Sequence, residues 1–343
     1  MNQFTTVSSC LLLLLAAACG DRGPAAVLAS SDGKWRVVHV AEAQWKGDRG
    51  RSEMEAVLER LPQVDLVYAH NDPMAFGAAT AARQKGRTGI RFVGIDALPD
   101  EGRKYVADGA LDATIEYPTL AAEAIDLALL AANGVELARQ YTFGTRVWTR
   151  SNLQAGGTPI ASPATTMLIA LRREHAAILT TDPKTDQIFR IGMAQCTDDE
   201  PWRAAMRTDM QAWAKRYPQV EFHYRAADDD TEKQRGCVRD FVAQGCHAII
   251  VSPKESLALA AACKEAMAAG IRVIVLDREL GSDDYTTFLG SDNVAIGREA
   301  GMVIRELLPA GGTIVELQGL MTSSPAQQRH QGFVEALGLA APK

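Results

Sequence analysis

The chain has 343 residues, 47% of them hydrophobic and 6% aromatic, with a formal net charge of −6 at pH 7. That length and apolar content allow a full core and set an expectation of about two domains. A negative balance with no Lys- or Arg-rich run excludes nucleic acid as the main partner, because phosphate binding needs a basic face.

The first twenty residues, MNQFTTVSSCLLLLLAAACG, carry no charged side chain. Leu11 to Ala18 is too short to span a bilayer but suits the apolar core of a secretory signal, which predicts export. Ala16-Ala17-Ala18-Cys19 is similar to a lipoprotein signal-peptidase site, with Cys19 as the acylated residue. Two departures stand against it: the segment lacks Lys and Arg, and Ala16 replaces the usual Leu. Residues 20–34 then read as a small polar tether.

Short apolar runs at Val37–Ala41, Leu66–Ala69, Arg91–Ile95 and Ala113–Ile115 predict strands, with helical patterns at Arg51–Arg60, Pro73–Gln84 and Asp100–Asp108 between them. Gln154 to Asp186 has Gly and Pro clusters at its ends and reads as a linker, with helical periodicity over Met167–Leu179. Beyond it, strands are predicted at Ile188–Ala194, Val220–Tyr224, Ala248–Val251, Arg272–Leu276, Thr286–Leu289 and Thr313–Leu317. The intervening helices fall near Trp202–Tyr217, Asp230–Gln244, Glu255–Ala269, Asn293–Leu308 and Ala326–Leu337. Such alternation implies an α/β fold with parallel sheets covered on both faces.

Cys196, Cys237, Cys246 and Cys263 show neither CxxC nor Cys/His metal spacing, so buried free thiols are expected, with a Cys237–Cys246 disulfide as the alternative. His70 has no second ligand spaced to partner it and reads as a packed or hinge histidine; no metal or cofactor is expected. No GxxxxGK[ST], no helix-opening GxGxxG and no GxSxG occurs, which leaves nucleotide and acyl chemistry without a motif.

In open α/β sheets, ligands bind beyond the carboxyl ends of the strands. The predicted strands are followed by Trp45, Asn71-Asp72, Asp96, Glu200-Pro201-Trp202-Arg203, Asp277-Arg278 and Gln318. Indoles stack on the C–H faces of sugar rings, while carboxylates, amides and guanidinium groups pair with vicinal hydroxyls. Asp72 before Pro73 reads as a helix N-cap, leaving Asn71 as a hydroxyl partner. Glu200 has helix-dipole complementation as its alternative role, and Lys254 and Glu255 read as solvated charges opening a helix.

Trp35 to Arg150 contains WRVVHVAEAQW, VDLVYAHNDPMAFGA, IRFVGIDALPDEG and GTRVWTR, and Arg190 to Leu337 contains RIGMAQC, EPWRAAM, FVAQGCHAIIVSP, RVIVLDR, IVELQG and QRHQGFVEAL. These motifs resemble the type I periplasmic binding proteins of sugar ABC transporters, the ribose- and galactofuranose-binding kind. In that family the two blocks come in the opposite order, so the chain resembles a circularly permuted member. The resemblance implies two Rossmann-like lobes. Lobe one would comprise 118–143 and 188–284, and lobe two 35–117 and 285–343, with 144–187 as hinge return and linker. It places Lys343 close to Lys34. It also implies ligand contacts from Trp202 and Arg203, from the Asp277-Arg278 pair of VLDR, from Arg329 of QRHQGF, from Asn71, from Asp96 of VGIDA and from Trp45. Glu116 stands near where the family usually offers a Gln, and is the ninth candidate.

The implied protein is a monomeric, non-catalytic, periplasmic solute-binding protein without cofactor. It would capture a mono- or oligosaccharide and deliver it to an ABC permease. The alternative is a sugar-sensing protein that signals to a membrane receptor or kinase.

Overall fold

The computed structural model describes residues 26–160 and 162–341. The segment read as an export signal, Cys19 and Lys343 lie outside the described residues. The first elements are β1 (Leu28–Ser30), β2 (Trp35–Glu42), α1 (Gly47–Arg60), β3 (Leu66–Ala69), α2 (Asp72–Gln84), β4 (Arg91–Asp96), α3 (Gly102–Asp108) and β5 (Ala113–Glu116). Next come α4 (Ala121–Ala132), β6 (Gln140–Phe143), β7 (Thr145–Thr149), β8 (Thr158–Ile160) and α5 (Pro163–Glu174). They are followed by β9 (Phe189–Gln195), α6 (Pro201–Ala214), β10 (Val220–Ala226), α7 (Thr231–Ala243), β11 (Ala248–Ser252), α8 (Ala260–Ala268), β12 (Arg272–Leu276) and β13 (Thr287–Ser291). The last four are α9 (Asn293–Leu307), β14 (Gly312–Gln318), α10 (Ser324–Leu337) and β15 (Leu339–Ala340).

Two sheets organise the chain. One has nine strands in the order β15-β1-β2-β14-β3-β4-β5-β7-β8, parallel from β2 to β5 and antiparallel at both margins. The other has six parallel strands in the order β10-β9-β11-β12-β13-β6. Central strands such as β3, β11 and β13 are buried at every residue, as sheets covered on both faces require. Cys196, Cys237, Cys246 and Cys263 are free and buried, and burial pushes the Cys263 thiol up to about 12.

The backbone passes between the sheets after β5, at Gly144 between β6 and β7, after β8, and after β13. This corrects the boundary expected at residues 284 and 285. Thr287–Ser291 pairs with β12 on one side and β6 on the other, and so belongs to the six-stranded sheet. Residues 144–187 are likewise more than a linker, since β7 and β8 extend the nine-stranded sheet through antiparallel pairing. The helix expected at Glu255–Ala269 begins only at Ala260. The carbonyl of Lys254 accepts from Arg278 Nη1 and that of Ser256 from Gly281 N, which bends the preceding turn away from helical pairing.

α5 is fastened to the six-stranded half by a buried carboxylate. Asp126 of α4 is 1% exposed and accepts hydrogen bonds from Arg172 Nε (2.7 Å), Trp213 Nε1 (2.7 Å) and Tyr217 Oη (2.7 Å). Leu168 is buried beside this knot, and Gln219 Nε2 donates to the Ile178 carbonyl at 2.9 Å. Asp126→Ala would strand three donors at once, and a loss of about 3 kcal/mol is expected. A urea unfolding series measures it; a midpoint equal to wild type would show that the knot does not hold the segment.

Candidate ligand-binding site

One pocket collects side chains from the carboxyl ends of the strands of both sheets, as the open-sheet rule requires. The nine-stranded half contributes Trp45 after β2, Asn71 after β3, Asp96 at the end of β4, Tyr117 after β5, and Pro325 and Arg329 of α10. The six-stranded half contributes Glu200, Trp202 and Arg203 after β9, and Asp277 and Arg278 after β12. About 300 Å³ of space lies between and in front of these side chains. The halves are drawn together. Contacts across the cleft accompany this closure: Glu279 N donates to Ser324 Oγ at 2.9 Å, Gln328 Nε2 to Glu279 Oε1 at 2.8 Å, and Lys46 lies 3.6 Å from Asp199.

The pocket wall of the six-stranded half is a buried lattice. Arg203, 3% exposed, donates from Nη2 to Asp277 Oδ2 at 2.9 Å and from Nη1 to Gln195 Oε1 (2.8 Å) and Ser252 Oγ (3.0 Å). Ser252 Oγ in turn donates to Asp277 Oδ2 at 3.1 Å. Trp202 is anchored by its indole N–H on the Tyr117 carbonyl at 2.8 Å, and Tyr117 Oη reaches the Asp277 carbonyl at 3.2 Å. On the opposite wall, Arg329 donates to the His70 carbonyl at 2.6 Å and to Asn293 Oδ1 at 2.9 Å. Its guanidinium lies 5.4 Å from the Trp45 ring and 5.0 Å from the Tyr117 ring.

Two observations single this pocket out without reference to any other protein. Trp45, Asp96 and Asp277 have φ of 67°, 119° and 68°, backbone states that non-glycine residues adopt at a cost and that surrounding structure must hold. Trp45 Nε1, Arg203 Nε and Arg278 Nε are buried N–H groups with no hydrogen-bond partner in the protein, though Arg203 Nε lies 3.4 Å from Glu200. A buried unpaired donor costs about 1–3 kcal/mol, so three in one pocket mark a surface built for acceptors.

Eight of the nine sequence candidates line the pocket: Trp45, Asn71, Asp96, Trp202, Arg203, Asp277, Arg278 and Arg329. Glu116 does not. Successive strand side chains face opposite ways, so Tyr117 enters the pocket while Glu116 accepts from Trp148 Nε1 at 3.0 Å. The capping assignment is also reversed. Asn71 caps α2, accepting from Met74 N at 3.1 Å and donating to the Trp45 carbonyl at 3.0 Å, while Asp72 lies inside the first turn. Sequence reasoning missed Tyr117 and Pro325; the alternation along β5 was the available signal for Tyr117. Gln318 stays outside the pocket, its carbonyl accepting from Ala43 N and Gln44 N.

Burial pushes the Asp96 carboxyl well above the usual carboxylate range, with the Arg329 guanidinium, 3.8 Å away, opposing the rise. Behind it, burial pushes Asp72 up to about 8, against the hydrogen bonds from Thr114 Oγ1 (3.0 Å) and Ala97 N (2.7 Å). Those two bonds hold the left-handed Asp96-Ala97 turn in place. A folded-state value above the unfolded 3.8 means that the native state keeps a proton the unfolded chain has lost. Stability therefore falls as pH rises from about 4 to about 8. Asp72→Asn keeps the acceptor and removes the titration, so its stability should gain on wild type across that window. Parallel stability–pH curves for the two proteins would contradict this.

Comparison with known proteins agrees with the geometry. The family model described as a periplasmic binding protein domain matches residues 21–136 and 191–342. The ribose import binding protein of Bacillus subtilis is 30% identical over 145 residues, 42% of this chain and 47% of that protein. The galactofuranose-binding protein of Escherichia coli is 32% identical over 151 residues, 43% of this chain and 47% of that one. The chain spans about half the length of the curated relatives it matches. Among solved structures, a fructose-binding periplasmic domain of a hybrid two-component system is 42% identical over 43% of this chain and 49% of its own, with a TM-score of 0.42. Among the described residues, no helix is long and apolar enough to cross a membrane. The chain belongs to the periplasmic binding protein domain family, whose members are extracytoplasmic solute-binding proteins rather than enzymes.

Proposed function

We propose that the protein captures a sugar between its two halves, closes on it by hinge motion, and presents the closed form to an ABC permease. The observation that carries this reading is the convergence of unpaired buried donors and two indoles on one interlobe pocket. Three guanidinium groups (Arg203, Arg278, Arg329) and three carboxyl groups (Asp96, Glu200, Asp277) line the pocket, a set of donors and acceptors suited to a polyhydroxylated ring. Each neutral hydrogen bond nets only about 1 kcal/mol, so affinity rests on several of them aligned in a site that closure has dried. The names of the relatives point the same way, toward ribose and galactofuranose.

The test is thermal unfolding in the presence of ribose, galactofuranose, fructose and other pentoses and hexoses. A binding sugar at about 100 times its Kd adds about 2.7 kcal/mol of stability, and Tm climbs with the logarithm of its concentration. Arg278→Leu, which removes a free donor, should weaken the response at least about tenfold. A cooperative transition that no sugar moves would overturn the reading.

We also infer that the chain is a circular permutation of the family order. The support is spatial: β2 lies beside β14 in parallel register, and β1 pairs with β15, so the two ends of the described chain meet in one sheet. The curated alignments, each covering about half of this chain, fit an order-preserving match that can take one block at a time. A reordered chain that runs 188–341 and then 26–187 should unfold cooperatively and answer to the same sugars. Failure of that chain to fold would remove this inference without touching the sugar site.

A further inference from the structure

Behind Trp45 lies a buried cluster that sugar capture does not itself use. Glu316 of β14 is fully buried between two imidazoles. His70 Nε2 lies 3.0 Å from Glu316 Oε1, and His330 Nδ1 lies 2.8 Å from Oε1 and 3.0 Å from Oε2. Gly319 N donates to His70 Nδ1 at 3.3 Å. That bond fixes the tautomer: Nδ1 is the acceptor, so the ring proton sits on Nε2 and is donated to Glu316.

Gly319 is also the floor on which Trp45 rests. A Cβ built there would overlap the indole edge. The adjacent Gln318 carbonyl accepts from Ala43 N (2.8 Å) and Gln44 N (3.2 Å), holding the loop in which Gln44 and Trp45 are both left-handed. A loop in that state keeps its shape only while its anchors stay put.

We propose that His70 is a positioning residue: its neutral ring pins Gly319 and thereby sets Trp45 in the cleft, and acid pH releases the indole. Protonation of Nδ1 turns two N–H groups against each other across 3.3 Å, and the Gly319 turn must give way. The titratable and charged groups facing the ring are Glu316 from β14, His330 and Arg329 from α10, and Tyr68 from its own strand. Asp72, two residues on, is turned toward Ala97 and Thr114. Burial of the His70 ring lowers its affinity for a proton, while Glu316 opposes this. Burial would raise Glu316, but the bonds from His330 and His70 hold it down at about 2. The Glu316 bond raises His330, which therefore takes up its proton at higher pH than His70 does.

The consequence for binding rests on the sugar-site reading, but the test does not. The five indole N–H resonances of the 15N-tryptophan-labelled protein report Trp45 directly, assigned by Trp45→Phe. As the pH is lowered from about 7.5 until the His70 ring protonates, followed by its own ring resonances, the wild-type Trp45 resonance should shift while those of Trp35, Trp148 and Trp213 stay in place. His70→Gln supplies a donor for Glu316 and an acceptor for Gly319 without titrating. It should restore the wild-type position at neutral pH and abolish the shift. His70→Leu and Gly319→Ala should displace the Trp45 resonance at both ends of that pH range, with the distant indoles certifying the fold. Superimposable titrations for wild type and His70→Gln, or an undisplaced Trp45 in His70→Leu, would overturn the proposal, whatever the sugar screen shows.

Discussion

The arrangement depends on the buried pair between Arg203 and Asp277. Two charges taken out of water cost more than their attraction returns unless every remaining donor and acceptor is used. Here Gln195 and Ser252 both take Arg203 Nη1, and Ser252 also serves the carboxylate. The lattice therefore has one geometry, and it ties β9, β11 and β12 together at their carboxyl ends. Trp202 and Arg278, each next in sequence to a member of the pair, are placed by it. What is left over, the unpaired Arg203 Nε and Arg278 Nε, faces the pocket. The site is the unsatisfied remainder of a structural network.

Closure follows the same logic on a larger scale. The cleft contacts between Glu279 and Ser324, Glu279 and Gln328, and Lys46 and Asp199 are few and partly exposed. Such pairs contribute on the order of 1 kcal/mol or less each, too little to lock two lobes. On the proposed reading, a ligand that satisfies the buried donors from both walls would stabilise the closed form by more than these contacts do. An equilibrium of this kind is shifted only by a difference in affinity between the two states.

Much of this was legible in the sequence because the rules involved are local. Strand ends could be placed within a residue or two, and the residues after them formed a set with one chemistry. The failures are local as well. Asn71 and Asp72 can each cap a helix, and the choice fell to the Trp45 carbonyl, which takes the Asn71 amide, and to Ala97 and Thr114, which claim the Asp72 carboxylate. Glu116 and Tyr117 differ only in phase along β5, and a four-residue strand gives too few residues to fix it. α4 is buried on nearly every side, so its apolar run lacks the amphipathic period that would announce a helix. The place of Thr287–Ser291 was decided by pairing with Gln140–Phe143, almost 150 residues away, which no local pattern encodes.

The distance between those partners bears on the proposed permutation. Each functional side chain is set by its own strand end and by bonds across the sheet, and none of those bonds requires that one block precede the other. Arg203 reaches Asp277 within the second block, Asn71 reaches Trp45 within the first, and Arg329 reaches the His70 carbonyl between blocks. Chain connectivity matters where the backbone passes between sheets, and those passages differ: Gly144 alone separates β6 from β7, whereas α5 lies between β8 and β9. Under the proposed permutation, reordering the blocks would alter the entropy of bringing the halves together, a cost that grows only with the logarithm of loop length.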